Sequence, residues 1–225
     1  MRERATALGV ALGLALAGLA CSSPEKNVVN QYFGALRAND QGTLTSFAMV
    51  AFDQQVDDWK VVSVSPGTKA PATLPDLVKK QKELEADLAK NTRDARAWGN
   101  DLAIYPKLDK VRELEKAGKP IPANLAPIHE KWSEFNTKDR ELKKAVADAK
   151  IAVEREKRNV GLSVGQSDDI ETLTGEVLSK DVDLNLTIGG EVKSYVMTLR
   201  KYELTGGTGP RMVSRWVVQS IVPKG

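Results

Sequence analysis

The sequence predicts an α+β protein: a domain of N-terminal helices and C-terminal antiparallel strands, interrupted by a long antiparallel coiled-coil helical hairpin. Three observations carry that expectation. Charge is unevenly spread: 36 of the 86 residues from Pro75 to Val160 are charged, against 24 of the other 119 beyond residue 20. Inside the charged stretch, residues from Leu77 to Tyr105 and again from Ile128 to Val160 recur at alternating spacings of four and three, which is a 3.5-residue repeat in two arms. The C-terminal stretch instead alternates apolar and polar residues, as half-buried strands do.

The chain opens with Arg2 and Arg4, followed by an uncharged run from Ala7 to Leu19. Thirteen residues make roughly 20 Å of helix, short of the ~30 Å hydrocarbon core of a bilayer. A basic start and a short apolar run together predict an export signal over residues 1–20, cleaved after Ala20.

Residues 21–68 are expected to form the first half of the α+β domain. Ser23 is a suitable N-cap, Pro24 suits the first helical position, and Glu25 favours the positive end of the helix. Val28, Val29, Tyr32, Phe33 and Leu36 then share one helical face, and Asn39-Asp40-Gln41-Gly42 stops the helix. A second short helix is expected over Thr43–Ala51, then an extended segment over Gln54–Val64, rich in β-formers. Ser65-Pro66-Gly67-Thr68 reads as a turn and Lys69–Leu74 as a linker.

Residues 69–162 are expected to be the inserted hairpin. Pro106 predicts a kink in the first arm, Gly118-Lys119-Pro120-Ile121-Pro122 the loop, and Pro127 the start of the second arm, which should be roughly 50 Å long. Gln81, Asn91, Asp139 and Glu156 are polar residues at seam positions.

Residues 163–225 are expected to be the second half of the domain. Val182, Leu184, Leu186 and Ile188 alternate with polar residues, Gly189-Gly190 signals a two-residue hairpin turn, and Lys193 to about Leu204 forms the returning strand. Gly206–Pro210 turns again before a third strand over Met212–Val222. Thr172–Leu178 is either a further strand or the start of the Val182 strand before a bulge.

Two resemblances follow. Gly18-Leu19-Ala20-Cys21 before Ser22-Ser23 resembles the lipobox of bacterial lipoproteins, with Gly18 where that family prefers Leu. The resemblance implies that Cys21 is acylated and becomes the mature N-terminus. Its acyl chains would then hold the protein at a membrane, at ~0.8 kcal/mol per buried CH₂. Ser22 resembles lipoproteins sorted to the outer membrane, implying its periplasmic face. The order helix, helix, strand, then antiparallel strands ending in Trp216-Val217-Val218 is similar to the NTF2-like, or cystatin-like, α+β fold. That resemblance covers about residues 24–65 and 170–222 and implies a curved sheet wrapped as a cone around the first helix.

Composition excludes several functions. A formal charge of +3 from 33 Lys+Arg and 30 Asp+Glu gives no electrostatic case for a nucleic-acid partner. One Cys and one His exclude a disulfide framework, a thiolate cluster and a multi-histidine zinc site, so no metal or cofactor is expected. His129 stands alone at the start of the second arm. Asp57 and Asp58 are adjacent on an extended segment and face opposite ways, so they form no dyad and no catalytic residue is assigned. Asp168-Asp169 reads as loop chemistry, and Asp181 and Asp183 share a strand face without ligand spacing. Trp98, Trp132 and Phe135 are large seam residues; core packing is one use, and an exposed aromatic patch that binds a partner is the other. The function expected from the sequence is a non-enzymatic, lipid-anchored envelope scaffold or adaptor whose hairpin meets an envelope protein or polymer. The alternative is a binding module that holds a small hydrophobic ligand in the cone of its sheet.

Overall fold

A computed structural model describes residues 23–165, 169–206, 212 and 214–225. The fold is α+β: five α-helices and a five-stranded antiparallel sheet. The elements are α1 (Pro24–Arg37), α2 (Gln41–Phe47), β1 (Asp58–Val64), β2 (Thr68–Pro71), α3 (Leu74–Gly99), α4 (Tyr105–Lys116), α5 (Ala126–Val164), β3 (Thr174–Ile188), β4 (Glu191–Thr205) and β5 (Val217–Pro223).

The long hairpin β3–β4 is the spine of the sheet. Its fifteen residue pairs run without a bulge from Thr174↔Thr205 to Ile188↔Glu191. Gly189 and Gly190 close it at φ 59° and 81°, a pair of left-handed conformations that glycine adopts without a Cβ penalty. Thr174–Leu178 therefore belongs to the Val182 strand, with no bulge against β4, while Thr172 ends a short 3-10 turn before it. β5 lies beside β4, and β1 and β2 both lie beside β3. The two flanks of the sequence thus meet in one sheet through β1 and β3.

Ser65–Gly67 does not reverse the chain. β1 and β2 follow the same side of β3 in the same direction, Val64 opposite Val182 and Thr68 opposite Ser179. The intervening residues are looped out, as at a bulge. Ser65 closes the gap from both sides: its N–H donates to the Asp181 carbonyl at 2.8 Å, and its Oγ accepts from the Asp181 N–H at 2.8 Å. The segment read as a linker contains strand β2, so the expected boundary at residue 69 falls inside a strand.

Two cores result. In the first, Val29, Tyr32 and Phe33 of α1 pack on Val182, Leu184 and Leu186 of β3 and on Met197 and Leu199 of β4, with Leu44 and Phe47 of α2. The Tyr32 hydroxyl donates to the Val50 carbonyl at 3.0 Å. Burial pushes its pKa up to about 12, against a minor opposing backbone hydrogen bond. In the second, Leu74 of α3 and Val153 and Val160 of α5 pack on Val177, Tyr202 and Leu204. Val177 and Val182 are an odd number of residues apart on an unbulged ladder, so the two cores lie on opposite faces of the β3–β4 ribbon. Glu25, at the start of α1, is buried and receives Lys180 Nζ at 2.6 Å. Burial works to raise its pKa, but the Lys180 hydrogen bond, local hydrogen bonds and the Lys180 charge together hold it below the usual carboxylate value.

Helices α3 and α5 run antiparallel. Thr73 bonds Glu156, Lys150 pairs with Glu85, and Trp98 meets Phe135, so one residue number falls as the other rises. Every seam residue expected from Leu77 to Trp98 and from Ile128 to Val160 is buried or half-buried. Beyond Trp98 the first arm departs from expectation. α3 ends at Gly99, and Leu102 is 94% exposed instead of lying in the seam. Asp101 Oδ1 accepts from Ala103 N–H at 2.8 Å and orders the turn before α4, and Pro106 sits in the first turn of α4, where its missing N–H leaves no bond unmade. α4 then follows α5 in the same sense as α3, with Arg112 on Trp132 and Glu115 on His129, and buries Leu108 and Val111. No helix among the described residues is long and apolar enough to cross a membrane.

Candidate functional site at the far end of the helical arms

Cys21 and Ala20, the expected lipid-attachment and cleavage residues, lie outside the described residues, as does Asp168. The other candidates divide between those engaged in the fold and those gathered at one place.

Asp57 is a structural residue. Its N–H donates to Thr187 O at 2.9 Å and its Oδ2 accepts from Gly189 N–H at 3.1 Å, so it clamps the β3–β4 turn. Asp58 sits opposite Thr187 at the start of β1. Asp181 accepts from Thr198 Oγ1 at 2.8 Å, and Asp183 accepts from Ser63 Oγ at 2.8 Å and pairs with Lys224 Nζ at 2.8 Å. His129 Nε2 meets Glu115 Oε1 at 3.1 Å, tying the start of α5 to α4. Among the described residues, no group of three or more His, Cys, Asp or Glu is arranged to hold a metal ion.

Trp98, Trp132 and Phe135 lie where α3 ends and where α4 and α5 begin. The Trp98 and Phe135 rings are 5.7 Å apart between centroids. Trp132 carries the Arg112 guanidinium over its ring at 4.3 Å. All three aromatic residues are half-buried. Asn91, fully inside the seam, donates from Nδ2 to the Phe135 carbonyl at 3.2 Å and fixes the register of the arms at this level. Between the three helices lies a cavity of about 280 Å³, walled by Arg96, Tyr105, Arg112, Trp132, Phe135 and Asn136 among others. Comparison with protein-family models, with curated proteins and with solved structures finds no match to this chain.

Nothing in the spacing marks Arg112 as a site residue. It is one of twenty Lys or Arg between Pro75 and Val160, and only the packing of α4 along the start of α5 sets it on Trp132. A second polar cluster lies at the opposite, sheet-facing end of the arms. Glu156 Oε1 accepts from the Tyr202 hydroxyl at 2.9 Å and from Thr73 Oγ1 at 3.3 Å, and its Oε2 accepts from Asn159 Nδ2 at 3.1 Å. Burial, then the Glu156 charge, push the Tyr202 pKa up. Ser163 Oγ accepts the Tyr202 backbone N–H at 3.0 Å. β5 ends its pairing opposite Arg200, so a helix serine takes the place that a strand neighbour would fill. This cluster seats the arms on the sheet; the cavity at the other end is the site open to a partner.

Proposed function

We propose that the protein is an exported, lipid-anchored adaptor of the bacterial cell envelope. Cys21 carries the lipid at the periplasmic face of the outer membrane, and the arms hold their far end out toward an envelope protein or polymer. In this reading α3 and α5 form a coiled coil, and α1 sits on a curved, NTF2-like sheet. No catalysis is assigned to it. The observation that carries the proposal is the placement of Trp132 and Phe135, half-buried aromatic residues that line a cavity, with the Trp98 ring against Phe135, at the end of a 39-residue helix whose other end is locked into the second core. Thirty-nine residues rise about 58 Å, enough to separate partner contact from the sheet domain. Aromatic residues in a cavity of this kind are the usual anchors of protein recognition. The adaptor reading is preferred to a ligand held in the cone of the sheet, because Tyr32, Phe33, Leu184, Leu186, Met197 and Leu199 fill the space beside α1.

The test is site-directed photo-crosslinking in intact cells with the reactive residue placed at Ala95 or Asn136, beside the cavity, and at Val62 on the sheet as control. The adaptor reading expects a discrete crosslinked species from the cavity positions, lost in Trp132→Ala, and a Cys21→Ser protein released from the membrane fraction. Equal crosslinking from Val62, or a Cys21→Ser protein that stays with the membrane, refutes it.

A further inference from the structure

Two arginines stack on tryptophans in this molecule, and they differ in what their N–H groups do. Arg37 lies over Trp59 at 4.7 Å and donates to the Asp57 carbonyl, so its guanidinium is consumed by the fold. Arg112 lies over Trp132 at 4.3 Å, and among the described residues it has no hydrogen-bond acceptor and no carboxylate partner. A guanidinium held on a ring keeps its N–H groups free for other partners, and those groups can grip a carboxylate through two parallel bonds. Arg112 lines the cavity of about 280 Å³. Arg96 and Asn136 also line it, and neither has a side-chain partner among the described residues. Donors therefore outnumber acceptors. The carboxylate on the wall, Asp139, already meets Lys143 Nζ at 2.7 Å and brings its own counter-charge. Beside the donors are apolar contacts: the ring of Phe135 and the half-exposed Tyr105.

We propose that this cavity binds the C-terminal carboxylate of a peptide partner together with the apolar side chain of its last residue. Arg112 is the fork that holds the carboxylate, and Phe135 and Tyr105 receive the apolar side chain. The proposal rests on the far end of the arms being the partner-engaging end, and it names what that end recognises. A guanidinium pre-set by a ring gives up less conformational freedom on binding than a free arginine.

The probe is N-acetylphenylalanine, titrated into the full chain in mild detergent while the indole N–H resonance of Trp132 is followed by NMR. Trp132→Phe assigns that resonance. The neutral amide of the same compound and phenyl phosphate serve as comparisons. The expected result is a saturable shift by the acid at millimolar concentration, with the amide and phenyl phosphate each about tenfold weaker or worse, a difference of about 1.4 kcal/mol. Arg112→Lys keeps the charge but loses the fork, and is expected to weaken the acid at least about fivefold; the residue is exposed, so the fold is retained. The proposal is overturned if the amide binds as tightly as the acid, if phenyl phosphate binds more tightly, if Arg112→Lys binds like the parent, or if the acid leaves Trp132 unmoved. Crosslinking that depends on Trp132 alongside a failed titration sinks the carboxylate and leaves the adaptor; binding of the acid without any crosslinked species does the reverse.

Discussion

Glu156 offers the sharpest test of how the arms are seated. Truncation to Ala removes the acceptor of two buried donors, the Tyr202 hydroxyl and the Asn159 amide. Each donor left without its partner costs about 1–3 kcal/mol, and the one lost methylene adds about 0.8 kcal/mol. Glu156→Ala should therefore destabilise the chain by roughly 3–6 kcal/mol. With a urea dependence of about 2 kcal/mol per molar, the unfolding midpoint falls by about 2 M. Glu156→Gln is the informative comparison. Its remaining carbonyl still accepts from Tyr202, and its new N–H₂ faces Asn159, whose Oδ1 is buried without a partner in the parent. A flip of the Asn159 amide presents that oxygen to the new donor and restores both bonds. The expected cost of Glu156→Gln is within about 1 kcal/mol. Urea unfolding followed by far-UV circular dichroism reads both values. A Gln variant as unstable as the Ala variant, or an Ala variant near the parent, refutes the account of the network.

Three further expectations follow from the same packing. The raised pKa of Tyr32, about 12 in the fold against 10.0 when exposed, means the unfolded chain loses this proton first. Tyr32 should then contribute a fall of about 3 kcal/mol between pH 10 and 12, and Tyr32→Phe should remove that share of the alkaline slope and leave the share of Tyr202. Glu25 has the opposite sign: its lowered pKa gives stability that is present above the unfolded carboxyl value and lost as pH falls through the folded one, so Glu25→Gln should cost about 1–3 kcal/mol at neutral pH and nothing in strong acid, read as urea midpoints across pH. Gly175 sits at φ 147°, where an added Cβ would lie 2.2 Å from the Glu203 carbonyl oxygen, so Gly175→Ala should force the open end of β3 and β4 apart and raise amide hydrogen exchange there, with the Gly189 turn unaffected.

Much of this fold was legible because periodicity records what each element touches. The seam from Ile128 to Val160 predicted which side of α5 is covered, since one continuous partner lies along it. The same logic misplaced Leu102. Its spacing continues the repeat, but the helix that would present it had already ended, and spacing alone does not mark that end. Ser65–Thr68 has the composition of a reversing turn, and local chemistry is the same for a turn and a bulge. The choice is made by Asp181, more than a hundred residues away in sequence, which satisfies Ser65 twice. Lys69–Leu74 lacked β-formers and was read as linker; pairing with β3 overrode propensity at an edge where Pro71 is tolerated. Glu156 and Asn91 were visible as polar residues in an apolar seam. Their partners, Tyr202 and the Phe135 carbonyl, belong to long-range packing. At the candidate site the three aromatic residues were legible from spacing, and the stacked arginine was not.

The second core changes what kind of insertion the arms are. A detachable module joins its host through a linker, and removing it leaves the host's surface polar. Here the host contributes Val177, Tyr202 and Leu204 on one face of the β3–β4 ribbon, each buried only because Leu74, Val153 and Val160 of the arms lie over them. Excising residues 75–160 would uncover that face and leave Tyr202 without Glu156. The first core, on the opposite face, cannot compensate, because side chains at those positions point away from it. The arms' first and last turns are thus part of the sheet domain, and the working unit that varies freely begins further out, beyond the Lys150–Glu85 pair, where contacts are between the helices alone. That division lets residues at the far end change without loss of the fold, while the Glu156 cluster seats the arms on the sheet.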